Sequence, residues 1–325
     1  MPSNTTHFVF SEDVYNKLDD SSKKRILKNK VVYNTFAQSH DLLFFYIFDH
    51  KNSKIIKDLG HHAHHYETQN YLLNVIKEIK KANLENDSES IAYLYGVITH
   101  YVLDTHCHPY IFYKTGVYRK NQKWTHKYKG EHTHIEKELD AIYYKKHFNR
   151  SYNKCNLNKE IIKKVTLTDK LQTLISKVYK DTYNIDNVGY FMNKSIGRVR
   201  LVNSLIVHDP LGIKKGIYYT IKFLSFKKFN GLPYYSNFIL KPKQTWLNEE
   251  HKEWNHPCYK EELFTYSFAD LYNQSIKDAL NIINEVNKVL YENKSITSLK
   301  KVIPNIDYST GIECNDKHSL EYFEY

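Results

Sequence analysis

The sequence has few residues that interrupt helices, only ten Gly and seven Pro in 325 positions. With long stretches rich in Lys, Glu, Ile, Leu and Asn, that scarcity predicts a mainly helical fold. Sustained strand alternation, internal repeats and low-complexity linkers are all missing, so nothing suggests a repeat array or a tethered pair of modules. The four cysteines, Cys107, Cys155, Cys258 and Cys314, lie far apart without a C-x-x-C pair. They make neither a disulfide framework nor a cysteine-based metal knuckle. Long apolar runs are absent as well. Leu42 to Phe48 is the longest and is far too short to span a bilayer. The start, Met1-Pro2-Ser3-Asn4-Thr5-Thr6-His7, has no basic segment followed by an apolar one, so the expectation is a reduced, cytoplasmic protein.

What is present fits one globular unit over residues 1–325. A hydrophobic fraction of 41% and a charged fraction of 26% are ordinary for a folded chain. The net charge is +11, spread over Lys23, Lys24, Arg25, Lys28, Lys214, Lys215, Lys227 and Lys228. That reads as a solvated basic surface, compatible with an anionic partner such as nucleic acid, a phosphorylated substrate or the face of an anionic membrane, without choosing among them.

Apolar periodicity predicts the helices. A short one opens at Ser11-Glu12-Asp13 and runs to Leu18. Others cover 67–83 and 88–108, the latter stopped by Pro109. Residues 110–130 read as a loop. Helices follow at about 132–148, 158–181 and 185–207, then from the Asp209-Pro210-Leu211-Gly212 break to about Phe226. Residues 229–260 read as an irregular connection, 262–292 as a strong helix, and the tail after Pro304 as loosely packed. The chemistry falls in the first half, about 1–150, with 151–325 as helical support.

Thirteen of the eighteen histidines lie within residues 1–134. His100, Asp104 and His108 are four apart on one predicted helix, and at about 3.6 residues per turn they share a face. Two imidazoles and a carboxylate buried together carry a heavy desolvation cost unless they hold an ion. His134 and Glu138 repeat the one-turn spacing on the next helix. Neutral imidazole and carboxylate are the donors zinc favours. His61-His62-Ala63-His64-His65 adds a further group, of which one or two can face a site. His7 and Asp41 complete the set, and Asp41 leads into the apolar Leu42-Leu43-Phe44-Phe45-Tyr46. His106 is expected to point elsewhere, and His50, His147 and His208 read as ordinary histidines.

The order His7, Asp41, His64, His100-x3-Asp104-x3-His108, His134-x3-Glu138 resembles the zinc-dependent phospholipase C family, whose fold is related to that of the single-strand-specific zinc nucleases. Asp41-Leu42-Leu43-Phe44-Phe45-Tyr46, Gly60-x3-His64-His65, His108-Pro109-Tyr110 and Gly130-x3-His134 carry the likeness. Asp209-Pro210 and Trp246-Leu247-Asn248…Trp254-x2-Pro257 extend it. The resemblance implies one compact all-α multi-helix domain binding up to three zinc ions. Asp41, His64, His100 and Asp104 would hold the first ion, and His108, His134 and Glu138 the second. His7 and a bridging Asp104 would hold a third, which the secreted enzymes complete with an N-terminal Trp. This sequence begins Met1-Pro2, so two sites are well supplied and the third is incomplete. The Asp104-to-His108 step is also shorter than in the secreted enzymes.

The implied reaction is hydrolysis of a phosphodiester, phospholipase C type, by a zinc-activated hydroxide. Asp41 would double as ligand and catalytic proton acceptor, and Phe44, Phe45 and Tyr46 would line the entrance for substrate. Three rivals stand beside it. A nuclease or nucleotidase can use the same site on nucleic acid. An HD-type phosphohydrolase would use the adjacent pair His40-Asp41. A zinc-storing or sensing protein would keep the ligands without turnover.

Overall fold

The computed structural model describes residues 4–225, 228–316 and 318–324. The helices are α1 (Asn4–Lys17), α2 (Asp20–Ile26), α3 (Lys30–Phe36), α4 (Ser53–His65), α5 (Thr68–Lys81), α6 (Ser88–Thr115), α7 (Glu131–Phe148), α8 (Leu157–Glu160), α9 (Asp169–Tyr183), α10 (Val188–Val202), α11 (Ile213–Leu224) and α12 (Phe268–Tyr291). Short 3₁₀ and π turns join several of them. The only strands among the described residues are β1 (Trp254–His256) and β2 (Tyr259–Phe264), an antiparallel hairpin. The all-α expectation therefore holds.

The long helix α6 is the spine. Asp87 caps it by accepting from the Ser90 backbone N–H, and it is buried along most of its length between α1, α3, α7 and α12. A β-carbon at Gly96 would lie 2.5 Å from the Tyr33 carbonyl oxygen, so only glycine lets α3 press this close to the spine. The apolar stripe of α12, with Ile276, Ile283, Val286 and Leu290, also packs on the spine, and a Ser267–Asp270 capping box starts that helix.

Several boundaries differ from the sequence expectation, each for a tertiary reason. Helix α1 opens at Asn4 rather than Ser11, which places His7 on a helix. Its first N–H groups are capped by a residue far along the chain. Asp140 Oδ1 accepts from Thr5 N at 3.1 Å and Thr6 N at 2.8 Å. Helix α6 continues through Pro109 to Thr115 and ends at Gly116 with φ +60°. The region expected to be one helix at 158–181 is broken between α8 and α9. The hairpin delays the last helix to Phe268, with Trp254 packed on Tyr110 and its indole N–H donating to the Tyr266 carbonyl. Helix α11 ends at Leu224, and the expected end at Phe226 lies outside the described residues, as do Lys227, Met1, Pro2 and Ser3.

The tail after Pro304 is not loose. Tyr308 is fully buried, and Gly311, at φ +68°, lies so close to the spine that a β-carbon there would sit 2.8 Å from the Thr105 carbonyl. No described helix is long and apolar enough to cross a membrane.

Candidate metal centre

Four elements bring acids and imidazoles together beside α6. His7 comes from α1, Asp41 from the 3₁₀ turn Ser39–Phe45, His64 from the end of α4, and His100 and Asp104 from α6 itself. All five are buried. Asp41 Oδ1 lies 3.1 Å from His64 Nε2, and Asp41 Oδ2 lies 3.9 Å from His100 Nε2. Asp104 is the hub, with His7 Nε2 at 3.1 Å, His100 Nε2 at 3.3 Å and His108 Nδ1 at 3.8 Å.

Backbone carbonyls orient three of the rings. His64 Nδ1 is 2.6 Å from the Gly60 carbonyl oxygen, His100 Nδ1 is 3.1 Å from that of Ala37, and His108 Nδ1 is 3.0 Å from that of Tyr308. Only an N–H can donate to a carbonyl, so each Nδ1 carries a proton and each neutral ring keeps its lone pair on Nε2. This is the orientation in which histidines ligate metals.

His100 tests whether these residues fit an ion. Burial holds its pKa down at about 4, against the pull of Asp104 and Asp41. The ring is therefore neutral, its Nε2 is an acceptor, and the atoms facing that acceptor are carboxylate oxygens. Nε2 of His100, Oδ2 of Asp41 and Oδ2 of Asp104 are all buried without a hydrogen-bond partner. Three acceptors turned on one another repel unless a cation lies between them. Four of the five residues can each offer a ligand atom, His7, Asp41, His100 and Asp104, with all four atoms within 4.8 Å of one another. The donor set is the nitrogen and oxygen mixture zinc prefers.

A second group lies one turn further along α6. His108, His132 and Glu136 also offer three atoms within 4.8 Å. His132 Nε2 is 3.0 Å from Glu136 Oε1, and His108 Nε2 is 3.7 Å from the same oxygen. Burial opposes it, yet the carboxylates of Asp104 and Glu136 raise the pKa of His108 to about 9. Burial also resists ionisation of Asp104 and Glu136, but the surrounding imidazoles hold both well below the usual carboxylate range. His132 has a more exposed side chain, at 27%, and marks the open edge of the centre.

The structure does not bring the expected His134 and Glu138 to this group. His134 stacks on Tyr234 at 4.2 Å with planes 7° apart, and its Nδ1 is 3.2 Å from Glu131. Glu138 accepts from the Lys243 backbone N–H at 2.7 Å. The sequence His132-Thr133-His134-Ile135-Glu136-Lys137-Glu138 contains two overlapping His-x3-Glu pairs. Two residues of α-helix turn the side chain by about 200°, so the pairs occupy opposite faces of α7, and packing turns His132 and Glu136 toward α6.

Other expected positions separate in the same way. Of the four clustered histidines only His64 is buried, and His106 turns outward to Asp278 at 2.9 Å. Phe44 flanks His64, nearly parallel at 5.8 Å, and His61 at 4.6 Å. Phe45 and Tyr46 are core residues instead, Tyr46 lying under Arg198 at 4.1 Å. His40 is fully buried with Nδ1 2.5 Å from the Tyr179 hydroxyl. Tyr308 was not foreseen. Its N–H donates to the His64 carbonyl at 2.9 Å, its carbonyl orients His108, and its ring packs on His40, His64 and His100.

A family model described as zinc dependent phospholipase C matches residues 6–186, a span that takes in every member of both clusters. No curated protein and no solved structure matches the chain.

Proposed function

This chain belongs to the zinc-dependent phospholipase C family, and from that membership we propose that it hydrolyses phosphodiesters, with the headgroup ester of a phospholipid as substrate, at the centre built on Asp104. The observation that carries this reading is the inward-facing set of unpartnered acceptors, Asp41 Oδ2, His100 Nε2 and Asp104 Oδ2. Asp41, His64, His100 and Asp104 would hold one zinc and His108, His132 and Glu136 a second, with His7 beside Asp104. Bound there, zinc supplies a lowered pKa for an attacking water and positive charge for the phosphate oxygens.

The remaining work belongs to the chain itself. Asp41, with Oδ2 turned toward the ion site and Oδ1 3.1 Å from His64 Nε2, is the proton acceptor for the attacking water. The carbonyls of Gly60, Ala37 and Tyr308 hold the imidazoles in one tautomer, so the ligands need no reorganisation. Phe44, half-buried beside His64, offers an apolar wall to substrate.

The test is turnover of a water-soluble chromogenic phosphodiester by zinc-loaded protein. Asp41→Asn is expected to reduce it by at least about 10²-fold, while His50→Ala leaves it intact. Protein that binds zinc fully yet hydrolyses neither this compound nor phospholipid would be a zinc-holding protein, and the proposal would fall.

A further inference from the structure

We infer that α11 and the turn preceding it form a docking surface for an anionic lipid membrane. The choice of lipid as occupant rests on the phospholipase reading above; the surface itself does not.

Helix α11 is packed inside out. Successive side chains turn by about 100°, so Lys214, Lys215, Tyr218 and Lys222 share one side of Ile213–Leu224, and that polar side faces the protein. Lys214 Nζ donates to the Ser204 carbonyl at 2.8 Å, Lys215 Nζ to that of Phe238 at 2.9 Å, and the Tyr218 hydroxyl to that of Ile206 at 2.9 Å. The apolar side faces solvent. Phe223 is 82% exposed, Leu224 69%, Ile213 63% and Ile217 52%, with Leu211 at 75% just before the helix. No residue of α11 is buried, and a β-carbon at Gly216 would meet nothing within 4 Å. A surface helix normally turns its apolar stripe to the core. A contiguous apolar face turned outward marks an interaction surface.

Charge selects the occupant. The segment Ile213–Leu224 contains three lysines and no acid, in a chain of net charge +11. Lys228 follows, its carbonyl accepting from Lys129 Nζ at 2.6 Å. Lys214 and Lys215 are held by protein carbonyls, so the half-exposed Lys222 and the exposed Lys228 are the cations at the edge of this Tyr- and Phe-containing apolar strip, a composition that settles at a headgroup boundary, where ammonium groups meet lipid phosphates.

The surface is tied to the metal centre through rigid contacts. Lys222 Nζ lies 5.7 Å from the Tyr234 ring, and Tyr234 stacks on His134 of α7. Gly130, at the start of α7, approaches Gly231 so closely that a β-carbon at Gly130 would lie 2.6 Å from the Gly231 Cα. Through Tyr234, His134 thus links the docking segment to the helix whose other face carries His132 and Glu136.

The test is co-sedimentation of the full chain with vesicles of phosphatidylcholine alone and of phosphatidylcholine mixed evenly with phosphatidylglycerol, read with no reference to turnover. The mixed vesicles are expected to bind about tenfold or more tighter, with binding that weakens as salt is added. The double variant Ile217→Asp, Phe223→Asp, at two exposed positions, is expected to lose about tenfold or more. Phe223→Trp gives a second readout, a blue shift in emission on mixed vesicles. Wild-type protein that ignores mixed vesicles, or a double variant that binds them as well as wild type, overturns the inference. So does a dimer that the double variant dissolves in the absence of vesicle binding, which would assign the face to a second copy. Turnover of the soluble phosphodiester by wild-type protein separates the two readings: vesicle binding without it removes the phospholipase assignment and leaves the docking surface, and the reverse result removes only the docking.

Discussion

The assignment of His132 and Glu136 to the metal centre can be tested against the neighbouring pair two residues along. An α-helix with its side chains is about 10–12 Å across, so donors on opposite faces of α7 are separated by roughly that distance. Zinc binds its donors at about 2.0–2.2 Å. His108 therefore shares an ion with one pair or the other, and Glu136, 3.7 Å from His108, is on the correct side. Removing one of three donors should cost more than disturbing a hydrogen-bond partner of a ligand, which lowers metal affinity by about 10–100-fold. His132→Ala and Glu136→Gln are thus expected to lower the affinity of one zinc by at least about 100-fold and to reduce the zinc retained after dialysis by one ion per chain. His134→Ala and Glu138→Gln are expected to retain the full complement, since their partners are Tyr234, Glu131 and the Lys243 backbone. Metal content by mass spectrometry and competition with a coloured chelator give both quantities. If the His134 variant loses an ion and the His132 variant does not, the placement of α7 against α6 is wrong by half a turn, and the reasoning from the second cluster collapses.

The pH dependence of the metal-free protein follows from the same cluster. His108 stands at about 9 in the fold against 6.5 in the unfolded chain, so its charged form contributes stability that is complete below pH 6.5 and lost as the pH rises through 9. At about 1.4 kcal/mol per unit this is on the order of 3 kcal/mol, measurable by urea unfolding with a chelator present. Asp104 works in the opposite direction. Its depressed pKa gives stability present above its ordinary value of 3.8 and lost as the solution is acidified further. Zinc should bind more tightly as the pH rises toward 9, because the ion displaces the His108 proton, and calorimetry in buffers of different ionisation enthalpy would count that proton. Gly96→Ala places a methyl 2.5 Å from the Tyr33 carbonyl and is expected to cost about 1–3 kcal/mol; a wild-type Tm would refute the close approach of α3. Asp140→Asn weakens the acceptor at the start of α1 and is expected to cost about 1 kcal/mol or more, by thermal unfolding.

Much of the centre was legible because helical spacing alone puts His100, Asp104 and His108 on one face. The burial of that face on the spine follows from the apolar residues around it. The ambiguity at α7 was intrinsic. Histidines at 132 and 134 and glutamates at 136 and 138 satisfy the same spacing rule in two frames, and only packing breaks the tie. The start of α1 was hidden because its cap is Asp140, distant in sequence, where a local search looks for Ser or Asp just ahead of the helix. Pro109 lies inside α6 and does not end it. It removes one backbone donor but does not stop a helix whose neighbours hold it on both sides. The inverted face of α11 was invisible for the opposite reason: its periodicity is that of any amphipathic helix, and nothing local says which side meets the core.

Tyr308 closes a loop of exceptional length. Its backbone engages His64 and His108, while His7 reaches the same few ångströms from near the other end. The centre therefore draws on both ends of the described chain and cannot assemble during synthesis until residue 308 has emerged from the ribosome. Up to that moment every ligand side chain is present but His108 lacks the carbonyl that orients it. An ion that fixes His64 and His108 also fixes the two residues on which the Tyr308 backbone rests, and so tightens the tail indirectly. Closing so large a loop costs the unfolded chain entropy that grows only slowly with length. A chelator should therefore loosen the tail and the first helix together, and limited proteolysis should nick both at matching rates.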